Sequence, residues 1–166
     1  MKISTIIKYD EYQFINYTVL DHKDRKIALD FRNQNREWMV NKDLIKLEDH
    51  ENWIRSLNND HSTLYYLVFK RGTPFMAIYY HDIDFDKKEA YWGYSLGNQK
   101  YNSEVLKIEK IIIDFAFNRF NFDKLLCINN IKNNVIEIHK FFGFQEDGIV
   151  TINGQDFFKM YLLRPS

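Results

Sequence analysis

The chain has 166 residues, 45% of them apolar and 17% aromatic, which suits one domain with a sizeable core and excludes a disordered chain. Twenty-three basic side chains balance 23 acidic ones, so no net field draws in nucleic acid or an anionic membrane, and no basic patch stands out. Cys127 is the lone cysteine, which excludes an internal disulfide and favours a reducing compartment. No apolar run reaches membrane-spanning length, and MKISTIIKYDEYQF carries charges where a signal peptide needs its apolar run, so a cytoplasmic protein is expected.

No linker, repeat or low-complexity tract interrupts residues 1–166, and a single domain is expected. QFINYTVLD (13–21) reads as a first strand. DRKIALDFRNQ (24–34) puts Ile27, Ala28 and Phe31 on one helical face. LEDHENWIRSL (47–57) repeats the pattern with Leu47, His50, Trp53, Ile54 and Leu57, and Asn58-Asn59-Asp60 ends that helix. TLYYLVFK (63–70) and PFMAIYYHDID (74–84) flank a short hairpin connection at Arg71-Gly72-Thr73. EAYWGYSLG (89–97) is a third aromatic-rich strand. From Asn102 the period changes, and Val105, Ile108, Ile112, Phe115 and Ala116 form an apolar helix face. Asn102 or Ser103 suits its N-cap, and Glu104 suits the positive end of its dipole. KLLCINN (124–130) is a short buried strand, and VIEIHKFFGF (135–144) is an apolar helix that holds one histidine and runs into Gly143-Phe144. GIVTINGQDFFKMYLL (148–163) closes the chain as a hairpin turning at Asn153-Gly154. The order predicts an α/β (α+β) fold: a mixed, mostly antiparallel sheet with helices on both faces.

Strand, helix, strand and helix over 89–146, ending in lysine, a spacer and Gly-Phe, resemble the cofactor half of the GCN5-related N-acetyltransferase (GNAT) fold. In that resemblance EAYWGYSLG is the fourth strand, GNQKYNSE the pyrophosphate loop, KLLCINN the fifth strand and IHKFFGF the helix behind the thiol. DFRN (30–33), WM (38–39), Ile45 and H-x-x-W-I-x-x-L (50–57) are similar to the flagellin-modification acetyltransferases of pseudaminic acid biosynthesis. Those enzymes acetylate the 4-amino group of a UDP-linked amino-dideoxy sugar. The resemblance implies a splay between the fourth and fifth strands, acetyl-CoA as co-substrate and a nucleotide-sugar acceptor. It implies no metal and no nucleic-acid or membrane partner, in a monomer or homodimer. An H-x-x-W-I helix also occurs in acetyltransferases acting on ribosomal proteins, so a protein N-terminus or another small amine is the rival acceptor. A third reading is a non-catalytic module of the same fold, motivated by the pyrophosphate loop.

The same resemblance distributes roles. Backbone amides of Tyr94, Ser95 and Leu96 polarise the thioester, and Lys100, Tyr101, Asn102, Ser103 and Glu104 hold the pyrophosphate. The superfamily places two glycines in that loop and this chain has none; Asn102, which tolerates left-handed backbone, is expected to stand in. Asn133 and Asn134 open the last helix, one capping it and one bonding the pantetheine arm, while Lys140 meets a phosphate or is simply solvated. His139 occupies the place where the superfamily carries a tyrosine that protonates the departing thiolate. An imidazole can do the same, and the plainer alternative is a histidine packed on the sheet and bonded to a carbonyl. Arg32 and His50 are assigned to the nucleotide, and Met39, Val40, Trp53 and Tyr91 to the apolar wall around the sugar; read singly, these are a helix-end cation and core residues. His81, also on the substrate side, joins Asp82 and Glu89 as a candidate base. Cys127 reads as a buried, inert thiol. Acidic residues lining the acceptor groove would point to a cationic acceptor, and Arg32 with His50 facing it to a UDP-sugar.

Overall fold

The computed structural model describes residues 4–166. Alternating apolar and polar side chains build eight strands into one sheet. They are β1 (Ile6–Tyr9), β2 (Tyr12–Asn16), β3 (Leu64–Lys70), β4 (Thr73–Asp84), β5 (Glu89–Leu96), β6 (Lys124–Asn130), β7 (Gln145–Ile152) and β8 (Gln155–Leu163), in the order β1-β2-β3-β4-β5-β6-β8-β7. All neighbours pair antiparallel except β5 and β6, which run parallel.

Four helices cover the sheet: α1 (His22–Gln34), α2 (Leu47–Ser56), α3 (Val105–Asp114) and α4 (Val135–Phe141). Asp21 caps α1 by accepting from the Asp24 amide at 2.8 Å. On one face α1 and α2 bury Ala28, Phe31 and Ile54 against Leu67 and Ala77. On the other, α3 and α4 bury Ile108, Ile112 and Ile136 against Ile78, Trp92 and Leu125. Helices on both faces of a mixed sheet were expected, and that is the architecture found. Among the described residues no helix is long and apolar enough to cross a membrane.

Three boundaries differ from the sequence reading. The strand expected over 13–21 stops at Asn16, whose side chain accepts from both the amide and hydroxyl of Thr18 and turns the chain into a 3-10 turn, Tyr17–Val19. A further strand, β1, precedes it through a tight hairpin at Asp10, with φ 55; only Ile7 of its four residues is buried, too weak a pattern to read. The strands expected as fourth and fifth are therefore β5 and β6. The last hairpin starts at Gln145, because Gly148, at φ 90, absorbs a bulge between Glu146 and Ile149 that interrupts the alternation.

The β5–β6 contact positions everything that follows. It consists of three residue pairs, Glu89 with Lys124, Ala90 with Leu125 and Tyr91 with Leu126. Beyond them each strand stays with its outer neighbour. β5 follows β4 as far as the pair Leu96–Met76, and β6 follows β8 as far as Asn130–Phe157. The two strands part, and their inner-edge amides and carbonyls have no strand partner.

Helix α1 is seated on this end of β5 by a close approach. The Phe31 ring lies where a Cβ on residue 97 would come within 1.9 Å of it. Gly97→Ala is expected to cost about 1–3 kcal/mol by overpacking. Urea unfolding checks this, and pairing the change with Phe31→Leu should recover part of the loss. Unchanged stability in Gly97→Ala would remove the claim that this contact seats α1.

Candidate active site

Behind the parted strands the apolar packing gives way to a small polar cluster. Helix α4 ends with Gly143 at φ 97, the Phe144 amide donating to the His139 carbonyl at 3.1 Å and the Gly143 amide to Lys140 at 3.0 Å. This left-handed stop satisfies the last carbonyls of the helix and folds Phe144 back over the helix end. His139 sits beneath it, 3% exposed, its ring 4.9 Å from Trp92 and 5.7 Å from Phe144. Its Nδ1 lies 2.7 Å from Oε1 of Glu109, a fully buried carboxylate on α3. The other oxygen, Oε2, accepts from the Tyr94 hydroxyl at 3.3 Å. Burial and the Glu109 carboxylate push the Tyr94 hydroxyl well above its ordinary range. Across the gap Cys127 is pushed up to about 12 by burial, with Glu109 adding to the effect, so it is no thiolate nucleophile. Trp92 Nε1 and Asn129 Nδ2, both just past the point of parting, are sealed without a hydrogen-bond partner.

The pyrophosphate loop of the resemblance is a 3-10 turn, Gln99–Glu104, leading into α3. Asn98 starts it by accepting from the Lys100 amide at 3.2 Å, and Tyr101 stacks on Phe75 at 4.8 Å. No residue from 99 to 104 has positive φ, so the left-handed role expected of Asn102 does not arise, and the turn has no need of glycine. Lys100, Asn102 and Ser103 are exposed. Glu104 is not: its buried carboxylate takes Lys70 and the Tyr12 hydroxyl, which hold it below the usual carboxylate range. It ties the turn to β2 and β3 and does not face a phosphate. Asn133, one residue before the N-cap Asn134 of α4, accepts from the Val135 amide at 3.1 Å, and so helps satisfy the first turn of the helix. Lys140 pairs with Glu146 at 2.9 Å, which takes it away from the phosphate role.

On the opposite face of the sheet a cavity of about 400 Å³ opens beside α2, lined by Asp43, Leu44, Ile45, Asp49, His50 and Trp53. The DFRN motif builds one of its walls. Asn33 exchanges two hydrogen bonds with the Ile45 backbone, both 3.1 Å. Arg32 donates to the carbonyls of Asp43 and of Asn41, the latter at 2.7 Å, and to the Asn33 side chain at 3.2 Å. Two of its nitrogens are thus spent on the loop that frames the cavity, where the sequence reading had them meet a nucleotide. Met39 is partly buried and Val40 exposed in the approach to that loop, and neither lines the cavity.

From the cavity a row of rings crosses the sheet to the parting point. Trp53 meets Tyr65 edge-on at 4.7 Å, Tyr65 stacks on Tyr79 at 4.9 Å, and His81 stacks on Tyr91 at 5.5 Å. Tyr65–Tyr79 and His81–Tyr91 are directly opposed cross-strand pairs. Tyr79 lies over Gly93, where a Cβ would come within 2.6 Å of its hydroxyl oxygen. Burial pushes the Tyr79 hydroxyl up to about 12. His81 Nδ1 lies 2.7 Å from Asp82, an exposed residue at φ 49 within the bulge that interrupts β4–β5 pairing between His81 and Asp84.

No family model matches the chain, and no curated protein matches it. Solved structures do. The Campylobacter jejuni N-acetyltransferase PseH superposes with a TM-score of 0.76 at 17% identity, over 93% of this chain and 99% of that one. The same enzyme in complex with acetyl coenzyme A gives 0.76 at 19%. The spermidine N-acetyltransferase of Vibrio cholerae, in complex with CoA and spermine, gives 0.82 at 16%, over 93% and 96% of the two chains. The chain has the N-acetyltransferase fold.

Of the residues singled out in the sequence, His50 and Trp53 meet at the cavity, and His81 meets Tyr91. Tyr94 and His139 meet behind the gap. Sequence reasoning missed Tyr65, Tyr79 and Glu109. The first two are legible as cross-strand partners only once register is known. Glu109 sits four residues after Val105 and three before Ile112, on the apolar stripe of α3, and a charge there was a readable signal.

His50 generates a pH prediction. It is 3% exposed with Nδ1 unpartnered, and burial drives its pKa down to about 4, against the opposing pull of Glu51. The unfolded chain binds a proton on this ring from about pH 6.5 downward, whereas the folded chain does so only near its lowered value. Stability present above about pH 6.5 is therefore lost as the pH falls toward 4, by about 3 kcal/mol from this group. In urea titrations His50→Phe should lose less stability than the wild type on acidification. Equal losses would mean that His50 is not held neutral.

Proposed function

We propose that the protein is an acetyl-CoA-dependent N-acetyltransferase for a small-molecule amine, with a nucleotide-linked amino sugar as acceptor. The observation that carries the reading is the early end of β5–β6 pairing with His139 set behind the gap. The unpaired edge of β5 supplies preorganised amides at Tyr94 and Leu96, whose N–H groups point away from β4 while those of Ser95 and Gly97 point toward it, for a thioester carbonyl whose oxygen gains charge during attack. The exposed turn at Lys100, Asn102 and Ser103, ahead of α3, suits a pyrophosphate. His139 is the thiolate's acid, and His81, oriented by Asp82 beside Tyr91, is placed to take the amine's proton. Catalysis is chiefly positioning of amine against thioester.

The amino-sugar acceptor is supported by convergence. Arg32, Asn33, Ile45, His50 and Trp53 are scattered in sequence, carry the resemblance to the amino-sugar enzymes, and all build or line one cavity. A second reading, a cationic polyamine, is favoured by a different observation: Asp43 and Asp49 lie on that cavity's wall.

Release of CoA against UDP-amino sugars, polyamines and peptides tests both. We expect turnover with a UDP-linked 4-amino sugar to exceed that with spermidine by at least about tenfold in kcat/KM, the difference one charge-assisted hydrogen bond makes. Asp49→Asn should leave the KM for that acceptor unchanged. A KM raised about tenfold by the same substitution, for a polyamine that is the better substrate, would establish the second reading. Acetyl-CoA that neither raises the melting temperature nor is consumed would overturn the enzyme itself.

A further inference from the structure

We propose that Glu109 is the positioning residue of the thiol side of the site: it accepts the Nδ1 proton of His139 and leaves Nε2 as the nitrogen that meets the departing sulfur. The inference rests on the acetyl-transfer reading above and adds a residue that reading does not contain.

Helix α3 faces the sheet with Val105, Ile108, Ile111 and Ile112, and Glu109 lies among them with none of its surface exposed. A carboxylate in such a place costs several kcal/mol unless each oxygen is paired. Here both are. Oε1 takes His139 Nδ1 at 2.7 Å, and Oε2 takes the Tyr94 hydroxyl at 3.3 Å. The three side chains come from α4, α3 and β5, so the carboxylate fixes the ring relative to the strand edge that parts from β6. The two ring nitrogens of His139 then differ. Nδ1 is committed to Glu109. Nε2 has no protein partner among the described residues, and it is not one of the sealed polar atoms, unlike its neighbour Trp92 Nε1. A histidine serving only as packing needs neither a buried carboxylate nor an open nitrogen. An apolar pair would fill the same space at similar or better stability.

The chemistry follows from the ring's two edges. The amine nitrogen attacks the acetyl carbon, and the carbon–sulfur bond breaks with its electron pair on sulfur. Sulfur takes the proton from Nε2, forming the thiol, while the proton lost by the amine passes to water through His81. Nε2 later regains a proton from water. Throughout, Nδ1–H stays donated to Glu109, whose charge offsets that of the ring while both nitrogens are protonated and which selects the Nδ1–H tautomer afterwards.

Two measurements test this, one of them independent of turnover. Nitrogen-15 spectra of histidine-labelled wild type should show neutral His139 protonated on Nδ1, and Glu109→Leu, which removes the acceptor, should lose that single-tautomer signature. In steady-state kinetics Glu109→Gln should lower kcat about 100-fold, the lower end of acid–base assistance, with the KM for acetyl-CoA and acceptor within about twofold of wild type. Glu109→Asp, which keeps the charge, should recover part of kcat. A neutral ring protonated on Nε2 in the wild type would overturn the proposal, even if Glu109→Gln does not fold. So would wild-type kcat in a folded Glu109→Gln. A wild type with the Nδ1–H signature but no acetyl transfer to any amine would defeat the functional reading and leave the Glu109–His139 arrangement standing.

Discussion

Strands β5 and β6 share only the three pairs from Glu89–Lys124 to Tyr91–Leu126, and the rest of the molecule is arranged around that short contact. A buried strand edge with nothing to bond is costly, since nearly every backbone N–H and C=O in a protein interior finds a partner. Here the edges are kept open because each strand is held along its whole length from the other side, β5 by β4 and β6 by β8. The cores on the two faces resist closure as well. Phe31 presses on the end of β5 at Gly97, and Trp92, Phe144 and His139 pack together on the opposite face. The gap is thus a property of the packing and exists before any ligand arrives.

Because side chains alternate along β5, the gap divides the chemistry between two faces. Trp92 and Tyr94 point toward α3 and α4, where Glu109 and His139 wait. Tyr91, Gly93 and Ser95 point toward α1 and α2, where the ring row leads to the cavity. In the proposed reaction a thiol leaving on one face and an amine arriving on the other would meet where the strands part. Gly93 is what lets the ring row cross this face, because Tyr79 lies across the space a Cβ would fill. The ring row and the Glu109 pair are therefore two consequences of one strand, read on opposite sides.

Much of this was legible in the sequence. The periods of α1, α2 and α3, the aromatic strands β3, β4 and β5, and the turn at Asn153-Gly154 all carry local signals that the fold obeys. His139 was singled out by its distance from Gly143-Phe144, and the glycine stop brings the Phe144 amide back to the His139 carbonyl. The failures share a cause. The partners of Arg32, Glu104 and Lys140 are set by long-range contacts, so residues read as ligand contacts turn out to hold the loop at 41–45, β3 and β7. Glu109 is masked in the sequence by the apolar residues Val105, Ile108 and Ile112 that share its stripe of α3. The absent loop glycines looked like a defect, yet a 3-10 turn with ordinary backbone angles does not require them.

The claim on which all of this stands is that the gap between β5 and β6 receives the acyl donor, with its sulfur at His139. A crystal structure of the protein with CoA tests it in one step. The pantetheine arm is expected between residues 92–96 and 127–130, the pyrophosphate at the turn 99–104, and the sulfur within hydrogen-bond reach of His139 Nε2. CoA bound elsewhere, or bound there with the imidazole sealed off from the sulfur, would contradict it.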